Sequence, residues 1–263
     1  MGIVDTISTI PLTYINMKYI YRVYLWTIAH PLFIILTLLT AFTTAFGSIL
    51  FGSRIWGYYP GKVWAKCVCF IWGIRIKVKG RENIDKNTSY VFVANHQSAV
   101  DIWVVYGWLN HNFKWLMKKG LRKVFMVGYA CHCAGHVFVD DKSIAGVKET
   151  IEAAEKQLKD GMSVVIFPEG SRTWDGHLNA FKRGAFMLAS EFKLPVVPIT
   201  IDGAYKAMPR TTYNVTPTTV TMTIHPPIYP GEKGFAPKKL LEQCFNIIND
   251  SLPPESKAKV EEK

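Results

Sequence analysis

Hydrophobic and polar positions divide the chain into two regimes. From Val23 to Ser53 there is no Asp, Glu, Lys or Arg, and within that run Leu32 to Phe51 is close in length to the ~20-residue helix that crosses a bilayer. A core helix of a soluble protein ordinarily carries a polar face, whereas the polar side chains here are only Thr and Ser, so the pattern predicts a membrane-embedded helix. Gly57-Tyr58-Tyr59-Pro60-Gly61 breaks it. A shorter apolar segment, Val63 to Ile74, follows. Trp56, Tyr58, Tyr59, Trp64 and Trp72 suit the headgroup level, so residues 1–73 read as a membrane-associated segment with an embedded helical hairpin, which either crosses the bilayer or dips in and returns.

From Ile74 the pattern alternates between short β-branched runs and helical periods. Strands are predicted at Ile74–Val78, Tyr90–Ala94, Lys114–Met117, His136–Val139, Val164–Phe167, Val196–Ile201 and Val220–His225. Helices are predicted at Ala99–Leu109, Leu121–Cys131, Ser143–Lys159, Phe181–Phe192 and Lys238–Asp250. Strands alternating with helices imply an α/β domain over residues 74–252, with a mostly parallel or mixed sheet flanked by helices. Residues 253–263 read as a charged, frayed tail.

Composition and the placement of charges add to this picture. A length of 263 residues allows one large domain with a small appendage. Formal net charge of +11 favours anionic partners, either nucleic acid, an anionic membrane surface or a phosphorylated substrate, and no nucleic-acid-binding module is recognisable. Lys18 and Arg22 precede the apolar run, while Arg54, Lys62, Lys66, Arg75, Lys77 and Lys79 follow it. By the positive-inside tendency the bulk of the chain lies on the cytoplasmic face of a membrane, the inner membrane in a bacterium. Five cysteines, an odd number without a secretory signal, fit reduced thiols. Met1 to Thr6 fits the loose myristoylation pattern of a eukaryotic chain.

Two constellations could carry chemistry. His96 sits where the strand ending at Ala94 turns into a helix opened by Ser98, and Asp101 lies in that helix's first turn. An Asp that accepts from one imidazole nitrogen leaves the other free as a general base. The same residues equally fit a helix cap, with Asp101 completing Ser-x-x-Asp and His96 a loop histidine. The second constellation is Phe167-Pro168-Glu169-Gly170-Ser171-Arg172-Thr173, which follows a buried strand. Glycine permits close approach, Ser171 offers a hydroxyl, and Arg172 offers a planar fork suited to phosphate, with Lys182 and Arg183 adding positive field. Cys131-His132-Cys133 with His136 lacks the spacing of structural zinc sites and reads as packing, so no metal site is expected. No nucleophile elbow, Walker loop or dinucleotide fingerprint is present.

Taken in order, Asn95-His96-x4-Asp101 and Phe167-Pro168-Glu169-Gly170-Ser171-Arg172 resemble the paired motifs of the glycerolipid acyltransferase family, and in particular its 1-acyl-sn-glycerol-3-phosphate acyltransferases. Lys118-Lys119-Gly120-Leu121, Gly135-His136-Val137-Phe138-Val139-Asp140 and Val197-Pro198-Ile199 resemble three further blocks of that family. The likeness runs from about Lys79 to Ile201. One position departs from it: Asp141 stands where the family has Arg, with Lys142 next.

The resemblance implies acyl transfer from acyl-CoA or acyl-carrier protein to the sn-2 hydroxyl of lysophosphatidate, with no other cofactor. His96 and Asp101 would form the catalytic dyad. Glu169, Gly170, Ser171, Arg172, Lys118 and Lys142 would hold the acceptor. Acylation of another lysophospholipid or of glycerol-3-phosphate fits the same motifs, and a non-catalytic lipid-binding protein is the alternative of another class.

Overall fold

The structure, a computed structural model, describes residues 12–139, 162–229 and 236–259. The predicted helix at Ser143–Lys159, the Asp140–Lys142 region and the myristoylation pattern lie outside the described residues.

The N-terminal part is a helical hairpin. α1 (Leu12–Tyr24) continues through a π-helical turn, Leu25–Ala29, into α2 (His30–Phe51). Pro31 explains the widened turn: it has no N–H, and its ring crowds the carbonyl of residue 27. The stretch Met17–Phe51 is long and apolar enough to cross a membrane, and 22% of its most apolar window is buried. Gly52, at φ +90°, ends α2. A single turn, α3 (Ser53–Trp56), leads to α4 (Tyr59–Ile71). Contacts pair Trp56 with Gly47, Trp64 Nε1 with Thr37 Oγ1 at 3.1 Å, Tyr24 Oη with the Ile71 carbonyl at 2.9 Å, and Tyr21 Oη with the Trp72 carbonyl at 3.0 Å. As one position falls the other rises, so α4 runs antiparallel to α2. Gly47 is required here, because a Cβ would stand 2.2 Å from the Trp56 ring.

An aromatic cluster docks the hairpin on the rest of the chain. Phe33 of α2, Trp72 after α4 and Trp103 of α5 (Val100–Trp108) have ring centroids 4.7–5.9 Å apart. Such pairs contribute about 0.5–1.5 kcal/mol each beyond the area they bury. Trp72 and Tyr58, expected at headgroup level, are instead buried in this interface. Tyr59 remains exposed.

Among the described residues seven strands form one mixed sheet in the order β1-β7-β6-β2-β5-β3-β4. They are β1 (Arg75–Lys79), β2 (Val91–Ala94), β3 (Phe113–Lys118), β4 (Val137–Val139), β5 (Ser163–Ile166), β6 (Val196–Asp202) and β7 (Thr219–Ile224). All neighbours are parallel except β6 and β7. Central β2 is buried at all four positions, as a parallel strand covered on both faces must be. Edge strand β1 points Arg75, Lys77 and Lys79 outward, which discourages pairing with another sheet.

The helix predicted over Leu121–Cys131 is interrupted. A 3-10 turn, Lys119–Lys123, gives way to α6 (Val127–Cys133), and Met126 between them has φ +52°. Gly128 packs so closely on the turn that a Cβ would lie 2.2 Å from the Arg122 carbonyl oxygen. α7 (Gly184–Glu191), α8 (Ala204–Ala207) and α9 (Pro237–Ser251) complete the described helices. Of the stretch read as a charged tail, residues 253–259 pack back onto the domain. Leu178 N–H donates to the Ser256 carbonyl at 3.0 Å, and Lys259 pairs with Asp175 at 2.7 Å.

Candidate active site

Strands β6, β2, β5, β3 and β4 are parallel, so their carboxyl ends share one edge of the sheet, the place where open α/β sheets receive ligands. His96 follows β2, the Phe167–Thr173 turn follows β5, and Lys118 ends β3.

Asp101 does both jobs that its position in the sequence suggested. Its Oδ2 accepts from His96 Nδ1 at 2.9 Å and from the backbone N–H groups of Gln97 at 2.7 Å and Ser98 at 2.8 Å. The carboxylate therefore shapes the loop and orients the ring at once. With Asp101 as acceptor, Nδ1 carries the proton and Nε2 presents a lone pair. Among the described residues Nε2 has no partner, and the His96 side chain is 14% exposed. Ser98 acts one step away from its expected capping role. Its Oγ accepts from Val100 N–H at 3.2 Å and donates to the Met208 carbonyl at 2.7 Å, while the helix itself begins at Val100.

The His96 ring lies flat on Phe167, centroids 4.0 Å apart and planes 9° apart, and Phe167 in turn stacks on Trp115 at 5.3 Å. Behind them, buried His136 accepts from Trp115 N–H at Nδ1 (3.3 Å) and meets Tyr106 Oη at Nε2 (2.7 Å). Both ring nitrogens are thus occupied by protein, and burial, with the nearby Lys114 ammonium, pushes its pKa down to about 3. His136 is a neutral strut.

The two motifs are tied through their main chains. His96 N–H donates to Glu169 Oε1 at 2.6 Å, Asn179 N–H donates to Glu169 Oε2 at 3.0 Å, and Thr173 N–H donates to the His96 carbonyl at 3.1 Å. Glu169, expected to touch substrate, is buried with each oxygen holding a backbone N–H, so it fixes the two loops rather than facing outward. Its position at a strand end close to His96 accounts for this, since two inward N–H groups there need an acceptor.

Burial lifts the Glu169 carboxyl from 4.5 to about 7; the His96 and Asn179 bonds oppose that rise and the Asp101 charge adds to it. An unfolded chain releases this proton near 4.5. The stability the group contributes is therefore complete below that pH and falls, by up to roughly 3 kcal/mol, as pH rises through 7. Thermal unfolding midpoints of the detergent-solubilised protein should fall more steeply from pH 5 to 8 than those of Glu169→Gln. Equal slopes would exclude this coupling.

Residues 75–202 match the family model described as Acyltransferase. The chain carries an acyltransferase-family domain. It is 31% identical over 201 residues to the chloroplastic 1-acyl-sn-glycerol-3-phosphate acyltransferase of Brassica napus, covering 76% of this chain and 57% of that one. It is 34% identical over 134 residues to the human 1-acyl-sn-glycerol-3-phosphate acyltransferase alpha, covering 51% and 47%. The crystal structure of the 1-acyl-sn-glycerophosphate acyltransferase PlsC from Thermotoga maritima superposes with a TM-score of 0.65 at 27% identity, covering 84% of this chain and 95% of that one. The chain spans about half of the length of the curated relatives it matches.

Within the acyltransferase domain, Gly170 adopts φ +73°, and the Lys182 side chain crosses it; a Cβ at Gly170 would lie 3.0 Å from Lys182 Cε. The Lys182 ammonium thus lies against Gly170, the residue before half-buried Ser171 and Arg172. Lys118 is exposed two strands from His96, at a strand spacing of about 4.8 Å each. Lys142 lies outside the described residues.

Three contributors went unrecognised in the sequence. Phe167 supports the imidazole. Asn95, fully buried, exchanges two hydrogen bonds with the Ile201 backbone, at 2.7 and 2.8 Å, and so prolongs the β2–β6 pairing up to His96. Gln97 donates to the Gly176 carbonyl at 2.7 Å. A buried amide inside a motif was the available signal for Asn95.

Proposed function

We propose that the protein transfers a fatty acyl group from a thioester, acyl-CoA or acyl-carrier protein, to the sn-2 hydroxyl of lysophosphatidate, forming phosphatidate. The observation that carries this reading is an imidazole with Nδ1 anchored to buried Asp101 and Nε2 open, joined through shared backbone bonds to a basic, glycine-containing turn.

In this mechanism the acceptor hydroxyl gives its proton to His96 Nε2 as its oxygen attacks the thioester carbonyl. The tetrahedral intermediate collapses, the carbon–sulfur bond breaks, and the imidazolium returns the proton to the departing thiolate. Asp101 stabilises the imidazolium between those steps. Arg172, Ser171, Lys182 and the backbone at Gly170 hold the acceptor phosphate, with Lys118 and Lys142 adding positive charge. Holding both substrates at the correct angle supplies a further large factor.

The long apolar helix Met17–Phe51 and its partner α4 would keep the domain at a bilayer, where both acyl substrates reside. The basic residues after the apolar run favour the cytoplasmic face, the inner membrane's in a bacterium.

The test is to supply the purified full chain, in detergent or bilayers, with radiolabelled lysophosphatidate and each acyl donor. Phosphatidate formation supports the reading, and its absence with every donor favours a lipid-binding protein. Arg172→Ala should raise KM for lysophosphatidate well above any change in KM for the donor, because the lost contact is to phosphate. An equal rise in both would remove Arg172 from that role.

A further inference from the structure

We propose that Arg210, outside both motifs, is a positioning residue that sets the distance and angle between the Arg172 side chain and the general base. The inference rests on the reading of Arg172 as the group that holds the acceptor phosphate.

Arg210 follows α8 at the carboxyl end of β6. Its Nη1 donates to the Arg172 carbonyl at 2.6 Å, and its guanidinium carbon stands 3.8 Å from the centroid of the Trp174 ring. One planar cation therefore grasps the chain immediately after Arg172 and again at the side chain two residues on. A guanidinium can donate in its plane and stack with its face, a combination that a lysine ammonium lacks.

The consequence follows from the planarity of the peptide. The Arg172 carbonyl and the Thr173 N–H belong to one peptide unit, in which the two groups point in opposite directions. Thr173 N–H donates to the His96 carbonyl at 3.1 Å. That single rigid plate is thus pinned on one side to the main chain of the general base and on the other to Arg210. The Arg172 side chain leaves from the α-carbon next to the pinned carbonyl, so a tilt of the plate swings it relative to His96.

Trp174 is 66% exposed, and it is Arg210 that the ring covers. Other charges in this region are engaged locally: Lys206 with Glu255 at 3.0 Å and Lys259 with Asp175 at 2.7 Å. Asp175 also accepts from Thr173 Oγ1 at 2.9 Å, so that pair steadies the Thr173 side chain. The Arg172 carbonyl, at the other end of the plate, is held by Arg210.

The experiment uses the full chain in bilayers and compares Arg210→Ala, Arg172→Ala and the double variant, with Trp174→Ala alongside. Lysophosphatidate and a phosphate-free acceptor, monoacylglycerol, are each assayed. Arg210→Ala should raise KM for lysophosphatidate by about 10- to 100-fold, the scale of a misplacement near 1 Å, while KM for the acyl donor and the monoacylglycerol rate stay within about twofold. Trp174→Ala should raise the same KM less. Because Arg210 acts through Arg172, adding Arg210→Ala to Arg172→Ala should change little further.

Additive effects in the double variant, an equal loss with monoacylglycerol, or no change in Arg210→Ala would each overturn the proposal. Should Arg210→Ala fail to fold, Arg210→Lys, which keeps the charge but not the planar fork, is read by the same criteria. If Arg172→Ala itself leaves KM for lysophosphatidate unchanged, the underlying phosphate assignment fails, and this inference fails with it.

Discussion

Replacing His96 with alanine is expected to lower the rate of acyl transfer by about 10²–10⁴-fold while leaving both KM values within a few-fold, since a positioned general base contributes on that scale to the transition state alone. The variant should still fold. Asp101 keeps its two backbone N–H donors from Gln97 and Ser98, and the Thr173-to-His96 and His96-to-Glu169 bonds use main-chain groups that alanine retains. Unfolding midpoint and rate thus separate: the midpoint should barely move. A rate within tenfold of the parent would sink the general-base assignment, because the proposed proton transfer runs through the Asp101-anchored imidazole of His96.

The second large effect belongs to Asp101, and here two substitutions divide two roles. Asp101→Ala leaves three inward donors, His96 Nδ1 and the N–H groups of Gln97 and Ser98, without their acceptor, and each orphaned buried group costs about 1–3 kcal/mol. Stability and rate should fall together. Asp101→Asn can place its amide oxygen where Oδ2 now sits, and its nitrogen at the buried Oδ1 position, which has no partner. The loop then survives, but the negative charge that supports an imidazolium is gone. The expected result is a rate loss of about 10²–10⁴-fold with a smaller fall in unfolding midpoint than Asp101→Ala, because one buried amide nitrogen rather than three inward donors is left without a partner. Equal stability losses for Asn and Ala would show that the charge, rather than the acceptor geometry, holds the loop.

What could be read along the chain follows the range of the interactions. All seven described strands lie within a residue or two of where alternation and β-branching place them, because burial on a sheet is written directly into side-chain type. The dyad was visible because His96 and Asp101 are five residues apart and one turn brings them together. It stayed undecided between cap and catalyst because the cap and the dyad use the same oxygen, and a sequence cannot show one atom accepting three bonds.

Other features depended on which distant segments become neighbours. Periodicity carried Leu121–Cys131 as one helix, but packing of Gly128 on the Arg122 carbonyl splits it. Trp72 has the chemistry of an interface residue, yet docking of the hairpin on α5 buries it.

By itself, then, the sequence determined the apolar hairpin, the alternation of strands and helices, and the two motifs with their imidazole, carboxylates and phosphate-suited side chains. Tertiary structure alone decided the strand order with its one antiparallel pair, the stacking of Phe167 on His96, and the partners of Glu169 and Arg210. The Glu169 bond to His96 spans 73 residues, Asn95 reaches Ile201 across 106, and Arg210 reaches Arg172 across 38. Local patterns record which side chains seek burial and which bend the chain, and those preferences act over a few residues. A hydrogen bond to a backbone group has no residue-specific signature at the acceptor or donor end, so its partner is chosen only when the sheet assembles and brings the two loops to one edge.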